Sequence, residues 1–166
     1  MARFTLKVDV RMLIDEGEDV LQHNAFCFKI ADFIRVWAKR KLDVELVMGM
    51  VGGFQFQGGL DNLYYNLNGE PGGSDLWVVI DARGDKYLAN YEFWDWNKLI
   101  YVYGNLAQLG GISYQITHEL LHAILCKLGY PPYVYYGSVH LNETNKLIEK
   151  YDVSEIEWLA LGGNYD

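Results

Sequence analysis

The chain has 166 residues, of which 51% are hydrophobic and 22% are charged. This length fits a single domain over residues 1–166, and the balance of apolar and charged residues excludes a disordered or fibrous chain. A formal net charge of −8 does not provide the basic surface that binds a phosphate backbone, so we expect no nucleic-acid partner.

Two features of the sequence indicate where the protein acts. No apolar run resembles the core of a signal peptide or reaches the roughly 18 to 20 residues that span a bilayer, so we expect no membrane partner. The two cysteines, Cys27 and Cys126, lie among apolar residues in helical patterns, which is typical of buried free thiols. We therefore expect a cytoplasmic protein without a disulfide framework.

The N-terminal part is predicted to form a strand, a helix and a second strand. Apolar and polar residues alternate over residues 4–12, which predicts a half-buried strand. Apolar residues recur three and four apart over residues 18–40, which predicts an amphipathic helix capped by Asp15 or Asp19. Alternation returns over residues 42–48, and such a unit usually closes as a right-handed parallel crossover.

The middle of the chain combines a glycine-rich segment with apolar runs. Residues 51–75 contain seven glycines and are expected to form a hairpin or an extended irregular loop. The continuous apolar run at residues 75–81 predicts a central strand covered on both faces, and residues 98–103 fit a further strand.

The C-terminal part is predicted to be helical. A helical period resumes after Gly111 and stops at Gly129, and further helices are expected at residues 138–151 and 154–161. The predicted fold class is α/β (α+β), a small domain with a mixed twisted sheet, a backing helix, an active-site helix and C-terminal helices.

The helix after Gly111 carries the motif His118-Glu119-Leu120-Leu121-His122. Residues four apart on a helix lie on one side, so His118 and His122 present two imidazoles to one point, which suits Zn²⁺. Glu119 lies beside that point and can act as a general base, because zinc lowers the pKa of a coordinated water towards about 7. The motif therefore predicts hydrolysis of a peptide bond, with Glu119 passing the proton to the leaving amine.

The motif is short, so an accidental match has to be weighed. With 4 histidines and ten glutamates in 166 residues, chance produces roughly 0.006 matches per sequence. Three of the four histidines also fall between residues 118 and 140, the clustering that a metal site produces. The sequence therefore favours a Zn²⁺ site.

The motif and the element order before it resemble the zincin superfamily of metallopeptidases. The resemblance covers roughly residues 3–150 and implies a small zincin-like domain that hydrolyses a peptide or protein substrate. In zincins the strand before the motif helix is usually an edge strand that pairs with the substrate backbone. The resemblance therefore assigns this strand addition to residues 98–103.

The branch of the superfamily depends on the third zinc ligand, for which the candidates are His140 and Glu143. The metzincin extension of the motif needs glycine at position 125 and histidine at position 128, and both are leucine. Glu143 follows an asparagine and resembles the glutamate ligand of gluzincins. His140, with Leu147 seven positions later, resembles the third histidine of the SprT-like and WLM-type minimal proteases. We favour His140, with Glu143 as the alternative.

Other residues are assigned weaker roles. Tyr135 or Tyr136 is the first candidate for a phenol that donates to the oxyanion, although packing is favoured for the tyrosines after the motif helix. His23 lies in no ligand pattern and is expected at the surface. Residues 51–75 and 83–97 are expected to build the pockets that select substrate side chains.

Two rival functions remain beside a zinc metallopeptidase. A zinc-binding interaction module without turnover would keep the metal, but it has no use for Glu119 as a base. A metal-free interaction protein would rely on exposed aromatic residues such as Tyr64 and Trp94. Metal content distinguishes the second rival from the peptidase, and replacement of Glu119 distinguishes the first.

Overall fold

A computed structural model of the protein describes residues 5–59, 62–63, 74–83, 92–95, 99–103 and 109–127. In chain order the elements are β1 (Thr5–Ile14), α1 (Val20–Leu42), β2 (Glu45–Gln55), β3 (Leu76–Asp81), β4 (Glu92–Asp95), β5 (Leu99–Tyr103) and α2 (Leu109–Lys127). This order of a strand, a helix, further strands and the motif helix agrees with the sequence prediction.

The five strands form one mixed sheet in the order β2-β1-β3-β5-β4. The first four strands of this order are parallel, and β4 runs antiparallel to β5. β1 and β2 are parallel neighbours joined by α1, as the strand, helix and strand pattern predicted. The α/β fold class is confirmed.

The edge position predicted for residues 98–103 is wrong. β5 lies inside the sheet, since Ile100 pairs with Val78 of β3 on one side and with Trp94 of β4 on the other. The connection from β4 to β5 spans only residues 96–98, so β4 folds back along β5 and is the last strand on this side among the residues that the structure describes. Four residues are too few to show a period, which is why the sequence did not predict β4.

α1 has defined ends. The side chain of Asp19 accepts a hydrogen bond from the Leu21 N–H at 2.9 Å, which confirms Asp19 as the cap. The helix continues to Leu42 and stops at Asp43, whose φ of 53° is left-handed and whose N–H donates to the Lys39 carbonyl. It therefore extends two residues beyond the predicted end.

Both helices pack on the same face of the sheet. The main core there contains alternate residues of the strands and the inner faces of both helices, including Val8, Val10, Met12, Val78, Ile100, Val102, Ile30, Ile34, Trp37, Ile116, Leu120, Ala123 and Ile124. A smaller cluster, which contains Leu13, Trp77, Val79, Leu99 and Tyr101, covers the opposite face. All six residues of β3 are buried, which confirms the predicted central strand.

The irregular segment expected from residue 51 begins only after Gln55, because β2 continues through the first glycines. The Gly53 N–H donates to Oδ1 of Asn24 on α1 at 2.7 Å. A Cβ at Gly53 would lie 2.8 Å from the Cβ of His23, closer than real carbon atoms approach. These glycines therefore permit close contact between α1 and β2 rather than ending the strand.

The surface position predicted for His23 is also wrong. Its side chain is buried, and its Nδ1 lies 2.8 Å from the carbonyl oxygen of Asp19. The polar neighbours Gln22 and Asn24 led to the prediction of a surface position. In the structure, Asn24 accepts a hydrogen bond from Gly53 of β2, where α1 and β2 are in close contact.

Some predictions concern parts of the chain outside this description. The predicted helices at residues 138–151 and 154–161 lie there, as do Tyr135 and Tyr136. Among the described helices, none combines the length and apolar character needed to cross a membrane.

Cys27 is a free and fully buried cysteine of α1, which confirms the prediction for this residue. Burial disfavours the charged thiolate, whereas the positive charge of Arg11 favours it. Burial is the larger effect and raises the pKa of the Cys27 thiol from 9.0 to about 12. The thiol is therefore neutral and unreactive at physiological pH.

Two variants test the buried thiol: Cys126→Ala, which keeps Cys27, and the double variant Cys27→Ala with Cys126→Ala. The variant that keeps Cys27 should lose stability faster as the pH rises. A thiol whose pKa is raised in the folded state stabilises the fold fully below about pH 9 and loses this contribution as the pH rises towards 12. The free energy of unfolding is measured by urea titration at a series of pH values above about 9. Its decrease with pH should be steeper in the variant that keeps Cys27, by up to roughly 1.4 kcal/mol per pH unit. Parallel pH profiles would contradict this expectation.

Candidate metal centre

α2 is buried on nearly every side around the motif. Its apolar residues Ile116, Leu120 and Ile124 are fully buried in the main core. Glu119 and His122 are also buried, at 6% and 4% exposure, whereas His118 is half-buried. The predicted helical context of the motif is confirmed, and solvent reaches the motif at His118.

The two imidazoles have a spacing that fits a shared metal ion. The ring centres of His118 and His122 are 5.0 Å apart, and the rings are inclined at 75°. Two imidazoles that bind one tetrahedral zinc ion at about 2.0–2.1 Å per nitrogen have ring centres roughly 5 Å apart. One turn of helix could therefore supply two ligands to one zinc ion.

Glu119 follows the first histidine and lies about 100° around the helix from it. A buried carboxylate costs several kcal/mol unless hydrogen bonds or a cation offset the loss of water, so its place on this helix needs a polar environment. A divalent cation held by His118 and His122 would supply one. The two histidines thus fit a zinc ion by donor type and by ring spacing, and Glu119 follows the first of them at a buried position.

The third ligand cannot be placed within the described residues. His140 and Glu143 both lie outside them. In the described part of the chain, no group of three or more histidine, cysteine, aspartate or glutamate residues comes together as a metal site. Of the predicted site, the structure brings the rings of His118 and His122 together, and Glu119 is the next residue after His118 on the same helix.

A second group of buried polar residues was not predicted from the sequence. Asp81, at the end of β3, is fully buried, and Arg83 and Tyr101 are 6% and 1% exposed. Arg83 Nε and Nη2 each donate to the Asp81 carboxylate at 2.9 Å, and the Tyr101 hydroxyl donates to the same carboxylate. Arg83 Nη1 also donates to the carbonyl oxygens of Phe56 and Gly58 at 2.8 and 2.7 Å.

The charges of this network are fixed by its hydrogen bonds. Burial opposes the charge on Asp81, but the bonds from Arg83 and Tyr101 lower the pKa of the carboxyl below its usual value. The bond to Asp81 raises the pKa of Arg83, and burial together with Asp81 raises the pKa of the Tyr101 phenol. Tyr101 belongs to the cluster on the face opposite α2, so the network fixes residues 56–58 rather than the metal centre.

Comparison with known proteins adds no assignment. The sequence matches no model of a protein family and no curated protein. The functional interpretation therefore depends on the motif and on the geometry of the described residues.

Replacement of Arg83 by methionine should destabilise the fold by about 3–5 kcal/mol at neutral pH, because the buried Asp81 carboxylate would lose the positive charge that balances it. The lowered pKa of Asp81 means that the stability from this pair is present above about pH 4 and is lost as the pH falls through the folded-state pKa. The deficit of Arg83→Met, measured by urea unfolding, should therefore shrink in acid.

The double variant Asp81→Asn with Arg83→Met is the control for this prediction. It should be more stable at neutral pH than Arg83→Met alone, because it buries no unpaired charge. A loss below about 1 kcal/mol for Arg83→Met would show that water or another group compensates Asp81.

Proposed function

We propose that the protein is a zinc-dependent metallopeptidase. The observation that carries the proposal is the pair of imidazoles, 5.0 Å apart on one turn of a buried helix, with Glu119 beside them. The resemblance of the motif and of the element order to zincins supports the same reaction. We also propose that the enzyme acts in the cytoplasm, as its cysteines suggest.

Each motif residue has a distinct part in the proposed reaction. His118 and His122 would hold Zn²⁺ through neutral imidazole nitrogens. When bound, zinc activates a water molecule and polarises the carbonyl of the substrate. Glu119 accepts the proton of the attacking water and delivers it to the leaving amine, which requires a group that can both accept and donate. Its burial keeps bulk water from competing for that proton.

A third protein ligand completes the proposed site. His140 is favoured over Glu143, as the resemblance to the SprT-like and WLM-type proteases suggests. With three protein ligands, a fourth position would remain for water and substrate, as in catalytic zinc sites and unlike structural ones.

The proposed substrate is an extended peptide that adds a strand to the sheet. The resemblance to zincins assigned the pairing with the substrate backbone to residues 98–103, but β5 lies inside the sheet. We therefore assign this pairing to β4, which pairs with β5 at the end of the strand order. Strand addition supplies main-chain hydrogen bonds, which suits a peptidase that must hold a backbone in place before cleavage.

The Glu119→Gln variant should keep zinc at near one ion per chain and lose peptide hydrolysis by about 10²–10⁴-fold, because glutamine cannot accept the proton. Zinc content by plasma mass spectrometry and cleavage of an unfolded protein such as casein measure the two properties. An unchanged rate would exclude Glu119 as the base. Zinc binding without hydrolysis in the parent chain would support the interaction module instead.

The His140→Ala variant should lose most of its bound zinc, and the His118→Ala variant should do the same. The Glu143→Ala variant should lose only about 10–100-fold in zinc affinity if Glu143 holds a ligand in place without binding the metal itself. Competition with a fluorescent chelator measures these affinities. Asn142→Ala lies between the two positions and serves as a control that keeps zinc. Retention of zinc by His140→Ala together with its loss from Glu143→Ala would assign the third ligand to Glu143.

A further inference from the structure

The outward face of α1 carries a regular stripe of exposed residues. Its members are alternately four and three positions apart, so they lie along one line of the helix, and they are Leu21, Ala25, Phe28, Asp32, Arg35 and Lys39. Leu21 and Phe28 are 75% and 55% exposed. The first half of the stripe is therefore a continuous apolar surface over two turns, and such a surface is typical of a contact site.

The charge of α1 changes sign along the helix. Glu18 and Asp19 are exposed where the helix begins, and Lys39 and Arg40 are exposed in its last turn. The helix macrodipole favours this distribution, so the charges alone do not indicate a partner. The macrodipole has no bearing on the exposed apolar residues, which need a separate explanation.

We propose that α1 binds α1 of a second copy of this chain, with the two helices antiparallel about a two-fold axis near residue 30. The stripe is symmetric about that residue, because its members lie two, five and nine positions to either side. A two-fold axis there sets the first half of one stripe against the second half of the other, which is the arrangement of an isologous interface. The inference does not depend on the zinc site.

The apolar residues find partners in this arrangement. The two copies of Phe28 lie about 6 Å apart along the helix axes, within reach of each other's rings. Ala25 faces Arg35 of the partner, and its small side chain leaves room for the longer one. Leu21 faces Lys39 of the partner, whose aliphatic stem can cover it while the ammonium group stays in water.

The charges favour the antiparallel orientation over the parallel one. Lys29 and Asp32 of the partner differ by only about 1.5 Å in height along the axes, so they can pair twice across the two-fold axis. Asp32 is 77% exposed, and its contact with Arg35 of the same chain is long, at 3.9 Å. The acidic start of each helix also meets the basic end of the other, whereas parallel helices would set like charges side by side.

The size of the stripe limits the strength of this contact. α1 has 23 residues and is about 34 Å long, and a stripe roughly 10 Å wide then covers about 350 Å² on each chain. Stable complexes bury about 800 Å² per partner. We therefore expect a weak, reversible dimer with a dissociation constant on the order of 10–100 μM. The net charge of −8 on each copy opposes association at long range, but physiological salt screens it.

Sedimentation equilibrium of the full chain from about 5 to 500 μM tests the proposal. The mean mass should rise from 19.1 kDa towards twice that value. Phe28→Ala should weaken the dimer by at least about tenfold, because it removes the apolar contact at the two-fold axis. Met50→Ala is the matched control, since Met50 is 54% exposed but belongs to β2, and it should leave the dimer unchanged.

A charge exchange tests the orientation. Lys29→Asp and Asp32→Lys should each weaken the dimer by about three- to tenfold, since each sets like charges across the axis, and the double variant should restore it. Far-UV circular dichroism of dilute samples checks that every variant is folded. A monomer at all concentrations, binding to phosphatidylserine vesicles in its place, or equal effects of Phe28→Ala and Met50→Ala would overturn the proposal. A double variant as weak as the single ones would overturn the antiparallel pairing.

Discussion

The burial of α2 is the constraint on which the rest of the structure depends. Its apolar residues pack beside α1 on one face of the sheet as part of the main core, so the helix cannot leave this position without exposing that core. The same burial encloses Glu119 and His122, whose polar groups lose water and need compensation. A metal ion coordinated by both histidines would add to that compensation on a single turn of the helix. Metal binding and folding are therefore expected to be linked through α2.

The two edges of the sheet differ in what they offer to another strand. At β2 the register shifts between Met48 and Val51, and the Gly53 N–H is already bonded to Asn24. A bulge and an occupied N–H are both features that hinder edge pairing. Among the described strands β4 forms the other edge, and it is short and antiparallel to β5. In the proposed function this edge, rather than β2, would receive the substrate strand.

Local patterns in the sequence predicted the elements whose period is long and regular. α1, β1 and the motif helix follow from such periods, and β3 follows from its continuous apolar run. The spacing of His118 and His122 alone placed both rings on one turn. The failures concern partners that are distant in sequence. Gly53 meets Asn24 across 29 positions and Arg83 meets Phe56 across 27, so neither the full length of β2 nor the buried network is contained in a local pattern. The candidates for a third ligand, His140 and Glu143, lie outside the described residues and remain predictions.

The described cations lie away from the motif helix. Arg83 is neutralised by Asp81, and Arg11 stacks on Phe54, both on the face opposite α2. A zinc ion at the two histidines would add two positive charges on the α2 face, only partly offset by Glu119. In the proposed reaction, that positive charge would attract the carbonyl oxygen of a peptide, which carries a partial negative charge, and would hold the carbonyl beside the general base.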